Sequence, residues 1–405
     1  MPDKSKKLES RRLFLQSAIA GAGAIIVGSS CSQTEAPSTD QPARVRIPDR
    51  LKAFCVDFNW QPFDWTAEEQ GDWPNRFAKP GVWADASPKE HVAWYKALGA
   101  NVMQTFAVSC NGYAWYKGGK IPPQPGLKHD FLTESVKLGH EQGLLVMGYY
   151  CIGSNTRWGM DNPDLNYGTP STQHIPFTNQ YLDFLAASIK EAIELTDLDG
   201  FMIDWVWNPN KNLRKDGWIE AEKKLYEQLM NKPFPASGAP SEDELVAYER
   251  TAIDRCWSRI HEATKTAKPE CIIWLSIGDP SRPEIAGSNM LKEVDWAMNE
   301  NANTELLNAA KANKGADIRL LQCLVGWKKH DAREFLSDPA NQKMDFYGFA
   351  QPRRNSLPLP VEDSLANPVD SFSGKDRYAI NDKNTATLAR FYNGLAFDAV
   401  VSKKE

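Results

Sequence analysis

The chain has 405 residues, of which 42% are hydrophobic, 24% charged and 11% aromatic, and its formal net charge is −5. This is a globular composition, and without a basic cluster beyond the N-terminus it offers nucleic acid no electrostatic footing. The length admits two domains or one barrel of about 250 residues with insertions, and the 14 tryptophans suit a surface on which ligands stack.

Residues 1–31 read as a targeting segment. Lys4, Lys6 and Lys7 precede SRRLFLQ (Ser10 to Gln16), which resembles the twin-arginine export motif. The apolar run SAIAGAGAIIVG that follows is too short to cross about 30 Å of hydrocarbon, so it reads as a signal peptide rather than a membrane span. In VGSSC, Cys31 stands after two small residues at a lipobox-like position, with Gly28 where a larger aliphatic residue is usual. Cys31 is therefore a candidate lipid anchor, and the expected location is periplasmic or at the cell surface. Residues 32–47, rich in Ser, Thr, Pro and Gln, read as a flexible tether.

From residue 48 onward, short β-branched or aromatic runs alternate with longer amphipathic segments, as parallel βα units require. The predicted strands are 51–58, 101–108, 144–151, 200–205, 271–277, 294–300, 318–325 and 345–351. Helices are expected to begin near Ser87, Lys128, Thr178, Asp216, Ser241, Gly287, Asn303, His330 and Asp382. SPKE at Ser87 offers an N-cap serine, a first-turn proline and a glutamate three residues on. LGAN (98–101) and EQGL (141–144) each put a glycine between helix and strand. Eight strand–helix units, with one extra helix after the fourth strand, predict a single-domain (β/α)8 TIM barrel over 48–405. An open doubly wound sheet is the alternative, but the segment after the first strand, FNWQPFDW, is aromatic rather than glycine-rich. A long Pro-rich loop is expected over 352–381.

Six cysteines remain once Cys31 is set aside. Cys55, Cys151, Cys271 and Cys323 sit in apolar runs and no CxxC occurs, so the expectation is small buried hydrophobes rather than a zinc or redox site. HExxH, GxSxG and P-loop motifs are missing, and the histidines do not gather at strand ends, so the sequence implies no metal and no cofactor. DNPDLNYG (161–168) is dense in oxygen ligands but lacks the EF-hand pattern and reads as a turn-rich loop.

A barrel of this kind builds its site at the carboxyl ends of its strands. The residues there are Asp57, Asn59 and Trp60; Ser109, Asn111, Tyr113 and Trp115; Tyr149, Tyr150 and Asn155; Asp204, Trp205 and Trp207; Ser276 and Asp279; Asn299 and Glu300; Trp327; Gln351 and Arg353. Carboxylates, amides and indoles together suit a carbohydrate: hydroxyls pair with amides and acids, sugar CH faces stack on rings, and glycosidic cleavage uses two carboxyl groups. Asp204 and Glu300 are the candidate catalytic pair. Asp204 ends an apolar strand too far from the next helix, expected near residue 216, to serve as its cap. Asp57, Asn59, Trp60, Asn111, Tyr113, Trp115, Tyr150, Trp205, Trp207, Asn299 and Trp327 are candidate substrate contacts.

Three stretches carry a family resemblance. NVMQTFAVSCNGYAWY, FLTESVKLGHEQGLLVMGYY and LDGFMIDW resemble the second, third and fourth units of the α-L-fucosidase-like barrels of glycoside hydrolase family 29. The resemblance implies that Asp204 is the nucleophile of a retaining mechanism, with the acid/base on a later strand, for which Glu300 is the candidate. Ser109 and Cys110 stand where that family has a histidine pair, and Asn59 near its first-strand histidine, so the implied specificity is a sugar other than fucose. The expectation is an exported hydrolase of an extracellular oligo- or polysaccharide. A non-catalytic carbohydrate-binding lipoprotein is the alternative from another class, and a metal-dependent sugar isomerase or deacetylase a third.

Overall fold

Strands that are apolar on both faces need covering on both faces, and a closed parallel barrel inside a ring of helices provides this. The computed structural model has this arrangement. Its strands are β1 (Lys52–Val56), β2 (Val102–Gln104), β3 (Leu145–Cys151), β4 (Gly200–Asp204), β5 (Ile272–Ile277), β6 (Trp296–Asn299), β7 (Arg319–Val325) and β8 (Asp345–Ala350). They follow one another around a closed parallel barrel. β1 pairs with β8 from Lys52↔Phe346 to Val56↔Ala350 and closes it. The structure describes residues 46–62, 64–74, 77–167, 175–206, 213–300, 303–326, 330–372 and 377–397, the last without the side chains of 377–380. The expected signal segment, most of the tether, Cys31, Trp207 and Trp327 lie outside the described residues.

The expected helix starts hold to within a few residues up to His330. Ser87 caps the helix Pro88–Leu98 by accepting from Glu90 N at 3.3 Å, and Gly99 follows it at φ 80. The extra helix after β4 is present, as Glu220–Met230 and then Glu242–Ala267. Ser241 and Glu244 form a capping box on the second. Gly200 opens β4 where a Cβ would collide with the backbone of Ile272 and the side chain of Met147.

Two expectations are corrected. The Pro-rich loop 352–381 contains the helix Val361–Ala366 and a 3-10 turn at Val369–Phe372, and the final helix starts at Arg377 rather than Asp382. Pro360 can precede a helix, and Glu362 and Asp363 in its first turn favour one. The second strand is also shorter than expected. After Gln104 the chain folds back on itself, Trp115 N donating to Ala107 O at 3.0 Å and Val108 bridging Ala114. Among the described residues no helix is long and apolar enough to cross a membrane.

Candidate active site

Successive residues of a strand face opposite sides, so one parity of each strand points into the barrel. At the carboxyl ends that parity comprises Cys55 and Asp57, Gln104 and Phe106, Met202 and Asp204, Met298 and Glu300, and Tyr347, Phe349 and Gln351. All of them line one cavity of about 510 Å³. Asn59, Trp60, Trp65, Phe77, Cys110, Tyr149, Trp205 and Ser276 complete most of its wall. The volume suits a small-molecule site, and the mixture of rings with a few polar groups is the usual make-up of one.

Asp204 ends β4 partly exposed to this cavity. Its Oδ2 accepts from the Tyr149 hydroxyl at 2.9 Å and its Oδ1 from Trp205 N at 2.9 Å, and the Ser276 hydroxyl donates to it as well. Burial outweighs these donors and pushes its carboxyl up to about 6. Asp57 is 8% exposed. Its Oδ1 accepts from Asn59 N at 2.9 Å and its carboxyl from the Trp60 side chain. Burial, with the charge of Asp204 added, pushes it up to about 7. Among the described residues of the wall there is no Lys, Arg or His.

The aromatic rim is a chain of rings. Trp60 lies 5.3 Å from Phe77, and Phe77 meets Trp205 edge-on at 6.1 Å. Trp205 has φ 60, a left-handed conformation that is strained for a bulky side chain. Gly153, after β3, supports it from behind: a Cβ there would stand 2.5 Å from the Trp205 carbonyl oxygen.

Of the residues singled out in the sequence, Asp57, Asn59, Trp60, Asp204, Trp205 and Glu300 come together at the cavity. Five others are placed outside its wall, each with a structural partner. Asn111 exchanges hydrogen bonds with Gln124 and donates to Ala78 O at 3.2 Å. Tyr113 lies under the Arg157 guanidinium, 6.0 Å from its ring. Trp115 stacks on Phe58 at 4.4 Å and donates to Ser109 Oγ at 2.6 Å, 1% exposed. Tyr150, of opposite parity to Tyr149, donates to Ser188 O in the helix layer at 2.8 Å. Asn299, of opposite parity to Glu300, donates to Gln322 Oε1 at 3.0 Å and to Asn303 O at 3.1 Å.

Sequence reasoning missed Gln104 as a wall residue and did not select Tyr149, Ser276 or Gln351. A glutamine inside the apolar run NVMQTF was the available signal, because a buried amide is uncommon without a purpose. The Oε1 atoms of Gln104 and Gln351 are buried without a hydrogen-bond partner. The six cysteines from Cys55 to Cys323 are all buried and free.

The chain is thus a (β/α)8 barrel with carboxyl groups gathered at its carboxyl rim. Residues 87–205 match the family model described as hypothetical glycosyl hydrolase 6, a stretch that runs from the N-cap of Pro88–Leu98 to the residue after Asp204. Among solved structures, alpha-L-fucosidase isoenzyme 2 from Paenibacillus thiaminolyticus is 15% identical with a TM-score of 0.55, over 85% of this chain and 49% of that one. The PgaB (BpsB) glycoside hydrolase domain from Bordetella bronchiseptica is 12% identical with a TM-score of 0.51, over 75% of this chain and 94% of that one. The chain thus spans about half the length of the fucosidase it matches. At these identities the likeness is one of fold, that of a distant fucosidase-like barrel. No curated protein matches at the level of sequence.

Proposed function

We propose that the protein is an exported glycoside hydrolase that cleaves an oligo- or polysaccharide with Asp204 and Glu300. The observation that carries this reading is that β4 and β6 deliver these two acids, both of inward parity, to one cavity rimmed by Trp60 and Trp205. In the first step the Asp204 carboxylate forms a bond to the anomeric carbon while the bond to the leaving oxygen breaks, and Glu300 gives that oxygen its proton. In the second, Glu300 takes a proton from water, whose oxygen displaces Asp204 from the anomeric carbon and releases the sugar with retained configuration. The neutral donors Tyr149, Ser276 and Trp205 N hold Asp204 in place without cancelling its charge. The match of residues 87–205 to a glycosyl hydrolase family model supports the same reading.

The test is a panel of polysaccharides and neutral 4-nitrophenyl glycosides, with Asp204→Asn as the inactive control. Activity surviving in that variant refutes the nucleophile, and an inverted product, read by proton NMR of the first-formed anomer, refutes the retaining route. The acid side of the kcat/KM profile should rise through about pH 6 as Asp204 ionises. A binding-only protein would hold sugars and release no reducing ends. The export route rests on SRRLFLQ and the anchor on Cys31. Replacing Arg11 and Arg12 by Lys should leave the protein in the cytosol, and Cys31→Ala should free it from the membrane fraction.

A further inference from the structure

Besides the pair assigned to bond cleavage, the cavity has a second polar centre on the opposite side of the barrel. β1 runs between β8 and β2, with Cys55 level with Phe349 on one side and Gln104 on the other. The next inward residues are Asp57 on β1 and Gln351 after β8, so Gln104, Asp57 and Gln351 form one polar group across three adjacent strands. All three are buried, at 1%, 8% and 3% exposure. The two amide oxygens have no hydrogen-bond partner, and a buried acceptor left in this state is unfavourable until a ligand donor reaches it.

We propose that Asp57 is a substrate-reading acid whose carboxyl group hydrogen-bonds a hydroxyl of an uncharged sugar ring, with Gln104 and Gln351 accepting from neighbouring hydroxyls. This rests on the hydrolase reading above and adds to it the chemical class of the substrate, a neutral polyhydroxylated ring. The reason is electrostatic. The titratable groups that face Asp57 are Cys55 on its own strand, Tyr95 from the helix outside, Tyr149 on β3, Asp204 on β4 and Tyr347 on β8, with Glu300 across the cavity. None of them is a cation. Two carboxyl groups that feel each other's charge, with no basic side chain among the described residues of the wall, resist ionising together. Asp204 has four hydrogen bonds that favour its anion and Asp57 has two, so of the two acids Asp57 holds its proton to the higher pH. A neutral carboxylic acid is both donor and acceptor, and a hydroxyl can use both. Ionisation of Asp57 would remove the donor and place a second negative charge in the same cavity as the nucleophile.

Two measurements on the full chain test the proposal. The first is an NMR titration of protein carrying 13Cγ-aspartate, for wild type and Asp57→Asn. One carboxyl should keep its proton to about pH 7 and vanish from the variant's spectrum; ionisation of that carboxyl below about pH 5 overturns the proposal. The second compares wild type, Asp57→Ala and Asp57→Asn on neutral 4-nitrophenyl glycosides and their monodeoxy analogues. Wild type should lose about tenfold in kcat/KM when one particular hydroxyl is removed, the size of one hydrogen bond. Asp57→Ala should show no discrimination at that position, while Asp57→Asn, which retains a donor, should keep most of it and lose the decline above pH 7 that Asp57 contributes. Equal discrimination in wild type and Asp57→Ala overturns the role. If wild type turns over no glycoside, the hydrolase reading fails separately. The hydroxyl contact is then decided by binding of the same compounds through tryptophan fluorescence, where no difference between wild type and Asp57→Ala overturns it.

Discussion

The two ends of the barrel treat the same residue type in opposite ways. Where the strands begin, Asp199, Asp295 and Asp345 each face a basic side chain: His140 Nε2 at 2.9 Å, Lys265 Nζ at 3.1 Å and Arg319 Nη2 at 2.8 Å. Each also accepts a backbone N–H from an adjoining strand, from Val146 at 2.7 Å, Ile273 at 2.8 Å and Leu51 at 2.7 Å. Where the strands end, the donors to Asp57 and Asp204 are all uncharged. An acid given both a countercharge and a strand amide fixes register, and an acid held by neutral donors in a cavity keeps a proton or a charge available for chemistry. β4 shows both behaviours within one segment, Asp199 just before it and Asp204 at its end.

The largest expected effect is on activity. Asp204→Asn should lower turnover at least about 10³-fold without lowering the melting temperature at pH 8, because it removes a buried charge with no countercharge. A fall in stability would break the comparison, by showing that this acid too is structural. At the opposite end, Asp345→Ala should cost about 2–4 kcal/mol in urea unfolding, since it strands Arg319 and the Leu51 amide where β1 meets β8. Its kcat/KM, measured well below the melting temperature, should match wild type.

Asp57→Asn sharpens the contrast through pH. The folded-state carboxyl is raised from an ordinary carboxylate value to about 7, so the stabilisation that Asp57 contributes is whole below about pH 4 and is lost progressively as pH rises to about 7. The variant escapes that loss. Relative to wild type it should gain about 4 kcal/mol between pH 4 and pH 8, as read from thermal melts at both values. A constant difference would show that Asp57 ionises normally. The smallest effect is expected from Gly153→Ala, whose Cβ would press on the Trp205 carbonyl. It should lower kcat/KM about tenfold by moving Trp205 and the amide that donates to Asp204, and lower the unfolding midpoint as well, since the backbone must shift to admit the methyl group.

Much of the architecture is legible along the chain. The eight runs of β-branched and aromatic residues, the Ser87 and Ser241 caps and the Gly99 stop are local signals, and each produces the element it predicts. The helix Val361–Ala366 inside the expected loop 352–381 is not legible, because six residues leave no periodic pattern. At the rim, residue type pointed to Asp57, Asp204, Glu300, Trp60 and Trp205, which line the cavity, and also to Trp115, which packs behind it. It did not distinguish Tyr149 from Tyr150 or Glu300 from Asn299, because neighbours on a strand differ only in the face they occupy.

The sequence by itself determined that strands and helices alternate eight times, and that acids, amides and tryptophans collect just after the strands. Those features follow from period, capping and composition, which are properties of short segments. Only the tertiary structure decided which parity of each strand turned inward. That choice placed Asp57, Gln104 and Gln351 on one wall and Asp204 and Glu300 on another, and it gave Trp115, Tyr150 and Asn111 to the packing around them. Barrel closure and register fix parity, and both depend on pairings as distant as Lys52 with Phe346. The upward shift of the Asp57 carboxyl has the same origin, since it comes first from burial in the closed barrel and then from the charge of Asp204, 147 positions further along the chain.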